Sequence, residues 1–416
     1  MKKFLNLCAV LAVLFCALSA SATAQEEYTL LTATDLHYIA AGLTDHGAYF
    51  TALTESSDGK LMRYIEEITD AFLAEAAAQR PQALLLTGDL TFNGEVLSHT
   101  ALAAKLRALE AAGVPVYVLP GNHDLDNPNA ASFSGEGFTR VPSATAEDFR
   151  RIYAQFGFDE ALDMDADSLS YTVQLSDTTR LLMLDFNTRH DPCGISDASL
   201  RWVEAQLRAA RDEGFRMLTA GHQNLFQLTM FRGGYVIENA ERLAALFRQY
   251  GVELYLSGHL HCQHWRTEDG LTEIATSALS VNPCQYGVLR VKGDSLAYET
   301  RETDVAAWAR ERGRTEPALL EFPIYAADFF DGRNRESSGE SLSLFAYTQD
   351  EVERMTEYIV EMNRAYFTGD MRSAAALDPT GEIGALFDSR GTLYTAYLAS
   401  VRPDFGMDFR RWEEND

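Results

Sequence analysis

Apolar and polar positions follow two rhythms along the first three-quarters of the chain. Short runs rich in Val, Ile, Leu, Thr and Tyr read as strands, and between them apolar residues recur at helical spacing. YTLLTAT (28–34) and ALLLTG (83–88) predict two strands. Between them Leu61, Ile65, Ile68, Phe72 and Leu73 mark one face of a helix, which Pro81 ends. VPVYVLPG (114–121), RMLTAGH (216–222), VELYLSGH (252–259) and LTEIATSAL (271–279) predict further strands. SLSYTVQL with RLLMLDFN predicts a hairpin, and YGVLRVKGDSLAYET predicts another that turns at 292–295. Strands alternating with helices over residues 25–300 predict an α/β domain.

Near Arg301 the rhythm changes. Helical spacing dominates residues 301–416, which predict a smaller, mainly helical cap domain. TQDEVERMTEYIVEMNRAYF is the clearest helix, opened by a capping box of Thr348 and Glu351. FFDGRNRESSGES (329–341) reads instead as a polar, Gly/Ser-containing loop. At the other end, two lysines, an apolar run from Phe4 to Leu18 and the Ala22-Thr23-Ala24 sequence predict a secretory signal over residues 1–24, cleaved before Gln25. The run is shorter than the roughly 18–20 residues that span a bilayer. Phe15 before Cys16 is too bulky for a lipoprotein site. The expectation is an exported protein with no stable membrane anchor.

Composition narrows the partners. The formal charge of −26 becomes −28 once Lys2 and Lys3 leave with the leader. Such a chain repels nucleic-acid backbones and anionic membranes at long range, so a nucleic-acid polymer is excluded as the expected partner. Cys193, Cys262 and Cys284 remain after the leader, an odd number without framework spacing, and read as buried thiols with at most one disulfide.

The chemistry lies where strands end. Asp35 and His37 sit in TDLH after the first strand, and Asp89 sits in TGDL after the second. Asn122, His123 and Asp124 follow in PGNHD, His222 in AGHQN, and His259 and His261 in SGHLH. Any one of these short motifs alone reads as a turn, a helix cap or a surface loop. Together they collect on one edge of the fold, because the carboxyl ends of parallel strands gather there. Imidazole suits first-row transition ions, and carboxylate and amide oxygens complete a mixed shell. Seven ligands exceed one tetrahedral ion. They serve two ions if Asp89 bridges. The D-x-H and H-x-H spacings turn both side chains of each pair to one side of an extended segment. Gly88, Gly121 and Gly258 give tight turns and close backbone approach.

This series resembles the calcineurin-like metallophosphoesterases over residues 28 to 300. The resemblance implies a four-layer α/β/β/α sandwich of two mixed sheets around a dinuclear centre of manganese, iron or zinc. It implies one ion held by Asp35, His37, Asp89 and His261, and another by Asp89, Asn122, His222 and His259. His123 would be the uncoordinated catalytic histidine, with Asp124 orienting it. The helical C-terminus resembles an exported bacterial subgroup described as cyclic-nucleotide-phosphodiesterase-like. Two positions depart from many relatives: Gln223 stands where a second histidine is common, and Asn93 where many carry Asp. Neither removes a ligand, yet both bear on the hydrogen bonds behind the ligands.

Other residues near the motifs have plainer readings. Cys262 reads as a packed thiol, His264 as a rim or locally satisfied residue, and His99 as surface. The loop-like insert at 40–60 offers Asp45 and His46 either to substrate or to solvent. Arg189 and His190, in NTRHDPCG, are candidate phosphate contacts. The expected reaction is hydrolysis of a small phosphodiester, cyclic nucleotides among the candidates, by in-line attack of a hydroxide between the metals. His123 would protonate the leaving oxygen. A phosphomonoesterase or nucleotidase is the alternative, and a secreted binding module with structural metals is a reading of a different class.

Overall fold

The computed structural model describes residues 26–56, 59–188 and 193–414. The predicted leader, Arg189 and His190 lie outside the described residues. Two mixed sheets form the body. The first runs, in spatial order, through Arg411–Glu413, Ser295–Glu302, Gln285–Lys292, Glu27–Ala33, Ala83–Thr87 and Val116–Leu119. The second runs through His264–Glu268, Leu271–Ala275, Leu254–Ser257, Arg216–Gly221, Thr179–Leu184, Tyr171–Gln174 and Asp163–Met164. Glu27–Ala33, Ala83–Thr87 and Val116–Leu119 are mutually parallel neighbours, and so are Thr179–Leu184, Arg216–Gly221, Leu254–Ser257 and Leu271–Ala275.

Side chains on a strand alternate between faces, and this makes the layers. Leu181 and Met183 face the core between the sheets, together with Leu31, Leu254 and Leu256. Leu182 and Leu184 face the other way, onto Val203 and Leu207 of the helix Asp197–Glu213 and Leu243 and Phe247 of the helix Ala240–Tyr250. The first sheet is covered by the helices Ile65–Gln79, Val96–Ala111 and Val305–Glu311, whose Ile68, Phe72, Leu102, Leu106 and Ala309 join the central core. The result is helix, sheet, sheet, helix, as expected from the sequence.

The C-terminal part has its own core of Leu342, Met355, Ile359, Met362, Phe387, Leu398 and Val401. Cys262 is buried in the same cluster, and all three described cysteines are buried free thiols. One expectation fails here. Residues 329–341 are not a loop but belong to the helix Phe322–Ser343. Ala326, Phe330, Ser338 and Leu342 form its buried stripe, and Arg335 pairs with Glu357 at 2.5 Å across to the antiparallel helix Gln349–Thr368. Packing thus outweighs the cost of about 1 kcal/mol for each interior glycine. The region is mainly helical, as expected, and its short strand Arg411–Glu413 returns to the first sheet beside Ser295–Glu302.

The insert at 40–60 is also more ordered than expected. It holds a short turn of 3-10 helix at Ala41–Leu43 and the helix Ala48–Glu55. His99 is not a surface residue. It is fully buried in the helix Val96–Ala111, with Nδ1 bonded to the Tyr153 hydroxyl (3.0 Å) and Nε2 to the Asp124 carbonyl (3.0 Å).

Candidate metal centre

The parallel strands of both sheets end on the same edge, and there the two sheets touch. His222 Nδ1 donates to the Thr87 carbonyl (2.9 Å), and the Leu279 N–H donates to the Thr34 carbonyl (3.1 Å). A Cβ on Gly258 would lie 2.0 Å from Thr34 Oγ1, and one on Gly121 would lie 2.2 Å from the Asp89 backbone nitrogen. Close approach to neighbouring protein atoms therefore requires these glycines.

All seven residues expected to bind metal converge. Asp35, His37 and His261 form one group, and Asp89, His222 and His259 another; within each, ligand atoms lie within 4.8 Å of one another. Asp35 Oδ1 stands 3.3 Å from His261 Nε2, and His37 Nε2 stands 3.4 Å from His261 Nε2. Asp89 Oδ2 is shared: it lies 3.8 Å from His37 Nε2 and 3.4 Å from His222 Nε2. Asn122 Oδ1 completes the second group, 3.1 Å from His222 Nε2.

The backbone differs from the extended segments expected. Asp35, His37, Asp89, His259 and His261 all have positive φ, between 46° and 69°. This left-handed region is unfavourable for residues with a Cβ and clusters at functional sites. Hydrogen bonds hold the strain in place. Thr34 Oγ1 and the His259 N–H both donate to Asp35 Oδ2 (2.7 and 2.9 Å), and Ser280 Oγ donates to the Asp35 carbonyl (2.7 Å).

The donor set fits two cations. Asp35 and Asp89 are almost fully buried, and Asp35 Oδ1 and His37 Nδ1 have no hydrogen-bond partner. Burial alone would raise both carboxyls. The imidazoles outweigh it, His261 at Asp35 and His222 at Asp89, and hold both below the usual carboxylate range. Burial depresses His37, and His259 down to about 4, so both are neutral and able to donate a lone pair. At His222 burial is overcome by the Asp89 carboxylate, which pushes it up to about 9. A bound cation would take the place of that proton. His259 Nε2 donates to the Gly234 carbonyl (3.0 Å), which leaves Nδ1 as its lone-pair nitrogen.

His123 stands beside these groups, its ring 4.8 Å from that of His37. Asp124 does not orient it. Both Asp124 oxygens instead accept backbone N–H bonds, from Gly121 and Leu90 (2.8 and 3.0 Å) at Oδ2 and from Thr91 (2.9 Å) at Oδ1. Asp124 is a positioning residue that ties the loop carrying Asn122 to the loop carrying Asp89. The Phe92 carbonyl takes the orienting role, accepting from His123 Nδ1 (2.8 Å) and leaving Nε2 for chemistry.

Several contributors carry no local signal in the sequence. Lys60 is buried near His37, whose protonation it opposes. Glu273 is fully buried and anchors the loop that presents Gly234, accepting from the Leu225 and Phe226 N–H groups (3.1 and 2.6 Å), Asn224 (2.9 Å) and Ser257 (2.7 Å). Gln223 exchanges hydrogen bonds with Asn187, which also donates to the Pro120 carbonyl (3.1 Å). Asp45 contacts no site residue; it binds the Gly47 and Gly135 N–H groups (both 2.7 Å). His46 faces a separate cavity with Phe50 and Tyr325. His264 is buried against Phe409, with ring centroids 4.0 Å apart, and lines a cavity of about 810 Å³ that touches none of the clustered ligands.

Two smaller cavities flank the cluster. One, about 370 Å³, contains His123 with Tyr49, Lys60, Phe92, Phe138 and Arg140. The other, about 310 Å³, contains His259 and His261 with Tyr235, Tyr366, Tyr394 and Tyr397, so the C-terminal helices supply much of its wall.

The family described as calcineurin-like phosphoesterase matches residues 28–263, more than half of the chain. The chain belongs to this family. As a calcineurin-like phosphoesterase it is a metal-dependent phosphoester hydrolase. Residues 304–408 match a second family, the C-terminal domain of cyclic nucleotide phosphodiesterase. A probable glycerophosphodiester phosphodiesterase of Arcobacter nitrofigilis is 24% identical over 249 residues, 57% of this chain and 77% of the relative. Among solved structures, a dimetal phosphatase from Danio rerio gives a TM-score of 0.49 at 14% identity, covering 66% of this chain and 96% of its own. A purple acid phosphatase from yellow lupin gives 0.46 at 15% identity, covering 67% and 52%.

Proposed function

We propose that this calcineurin-like phosphoesterase hydrolyses small phosphodiesters outside the cytoplasm. Asp35, His37, Asp89 and His261 would hold one transition-metal ion (manganese, iron or zinc), and Asp89, Asn122, His222 and His259 a second. Bound there, such cations supply Lewis acidity at the phosphoryl oxygens and a nucleophile at neutral pH. The observation that carries the diester reading is the pair of cavities, one at His123 and one at His259 and His261. A diester has two arms to place; a monoester has one. The glycerophosphodiester phosphodiesterase relative supports the same reading.

The chain's own groups do the rest. The Phe92 carbonyl holds the Nδ1–H of His123 and so aims Nε2 into the site, from which the doubly protonated ring donates a proton to the leaving oxygen. Lys60 adds fixed positive charge where an anionic substrate meets a chain of net charge −26. Export rests on the leader sequence.

Three substrates test the proposal with manganese added: bis-p-nitrophenyl phosphate, p-nitrophenyl phosphate and a cyclic nucleotide. The diesters are expected to exceed the monoester by at least about tenfold in kcat/KM. A faster monoester makes the protein a phosphomonoesterase. No turnover on any of them favours a binding module with structural metals.

A further inference from the structure

We propose that the cavity beside His123 is a subsite for the leaving arm of the substrate, built for an arm that carries a planar ring and a second negative charge. The proposal rests on the phosphodiesterase reading and adds the chemistry of the arm.

Position fixes which arm. A general acid must lie against the leaving oxygen, and His123 lines this cavity, whereas His259 and His261 line the other. Whatever leaves with a proton from His123 therefore departs into this space.

The walls fix the ring. Tyr49, Phe92, Phe133 and Phe138 face the cavity from three separate parts of the chain. Tyr49 stacks on Phe133 at 6.2 Å with 19° between the ring planes, and approaches Phe138 at 5.3 Å. Phe92 meets Phe133 edge-on at 6.1 Å. Phe138 is 44% exposed, so the ring cluster reaches the surface along the hairpin. Aromatic rings gathered around a small cavity favour a planar partner.

The shelf is also pre-arranged. Asp45 staples the hairpin of Ala131–Ser134 and Gly137–Arg140 to the insert through the Gly135 and Gly47 N–H groups, and the Tyr49 N–H donates to the Gly135 carbonyl (3.1 Å). Phe92 joins the two functions, since its ring walls the cavity while its carbonyl orients His123.

Charge fixes the second feature. Lys60 and Arg140 line the cavity, and none of its described lining residues is acidic, in a chain of net charge −26. The Arg140 guanidinium lies 4.7 Å above the Phe138 ring and makes no ion pair with a described residue. Lys60 stands at the metal end and Arg140 on the hairpin edge, so an arm lying on the ring shelf would bring an anionic end to Arg140.

Three methyl phosphodiesters test this on the metal-loaded protein, with cyclohexylmethyl, benzyl and 4-carboxybenzyl leaving arms. All three release primary alcohols, so the demand for proton donation is similar. Benzyl should exceed cyclohexylmethyl by about tenfold in kcat/KM. The carboxylate should add a further gain of about threefold. Arg140→Ala should abolish only the carboxylate gain, and Phe138→Leu should shrink only the ring gain. The rate on the cyclohexylmethyl ester should change least in both variants. Equal rates on all three esters overturn the subsite while leaving the phosphodiesterase reading intact. An Arg140→Ala variant that slows all three alike overturns it too. If none is hydrolysed while p-nitrophenyl phosphate is, the phosphodiesterase reading has failed and the subsite falls with it.

Discussion

His123→Ala is expected to keep its metals and lose about 10²–10⁴-fold on a diester with an alkoxide leaving group. On a p-nitrophenyl ester the loss should be distinctly smaller. A nitrophenolate leaves without help, whereas an alkoxide needs a proton as the bond to phosphorus breaks. The substitution is a clean one. The His123 backbone N–H, which donates to Asp89 Oδ1 (2.8 Å), survives in alanine, and so do Asn122 and the other groups of the cluster. Alanine gives up the Nδ1 bond to the Phe92 carbonyl, at a partly buried position, together with the Nε2 proton donor. Equal losses on both esters would mean that His123 binds the phosphoryl group rather than protonating the leaving oxygen. No loss on either would remove His123 from the chemistry.

The second large effect concerns Asp89. In Asp89→Asn, Oδ1 can still accept the His123 N–H, so the loop keeps its geometry. The Oδ2 position, which lies 3.8 Å from His37 Nε2 and 3.4 Å from His222 Nε2, becomes an amide nitrogen. A donor then faces the space where each cation would sit, and the charge shared between the two groups is gone. Fewer than one ion per chain should remain by elemental analysis, and hydrolysis of bis-p-nitrophenyl phosphate should fall with the metal. Circular dichroism should show the fold retained. Full metal occupancy in Asp89→Asn would show that Asp89 bridges nothing.

Much of this site was legible because its signals are local. Each motif directly follows a strand, and parallel strands bring their carboxyl ends to one edge, so Asp35, His222 and His261 could be placed together without knowing any contact. What local pattern could not show was the second partner of each group. Asp124 follows His123 in sequence but points back to the Gly121 and Leu90 N–H groups, and the orienting carbonyl comes from Phe92. His99 has polar neighbours in sequence, yet Tyr153 closes over it from the end of the helix Ala146–Ile152. The stretch 329–341 has loop composition, and its helix depends on the partner Gln349–Thr368. Lys60, Arg140 and the tyrosines of the C-terminal helices reach the cavities from distant segments. Periodicity identifies which face of an element is apolar; it does not say what lies opposite.

The two-cation site is tested most directly by counting metal in active protein. Purified protein that hydrolyses bis-p-nitrophenyl phosphate should contain about two transition-metal ions per chain, and stepwise chelation should reduce rate and metal together. Fully active protein holding one ion or none would contradict the dinuclear site.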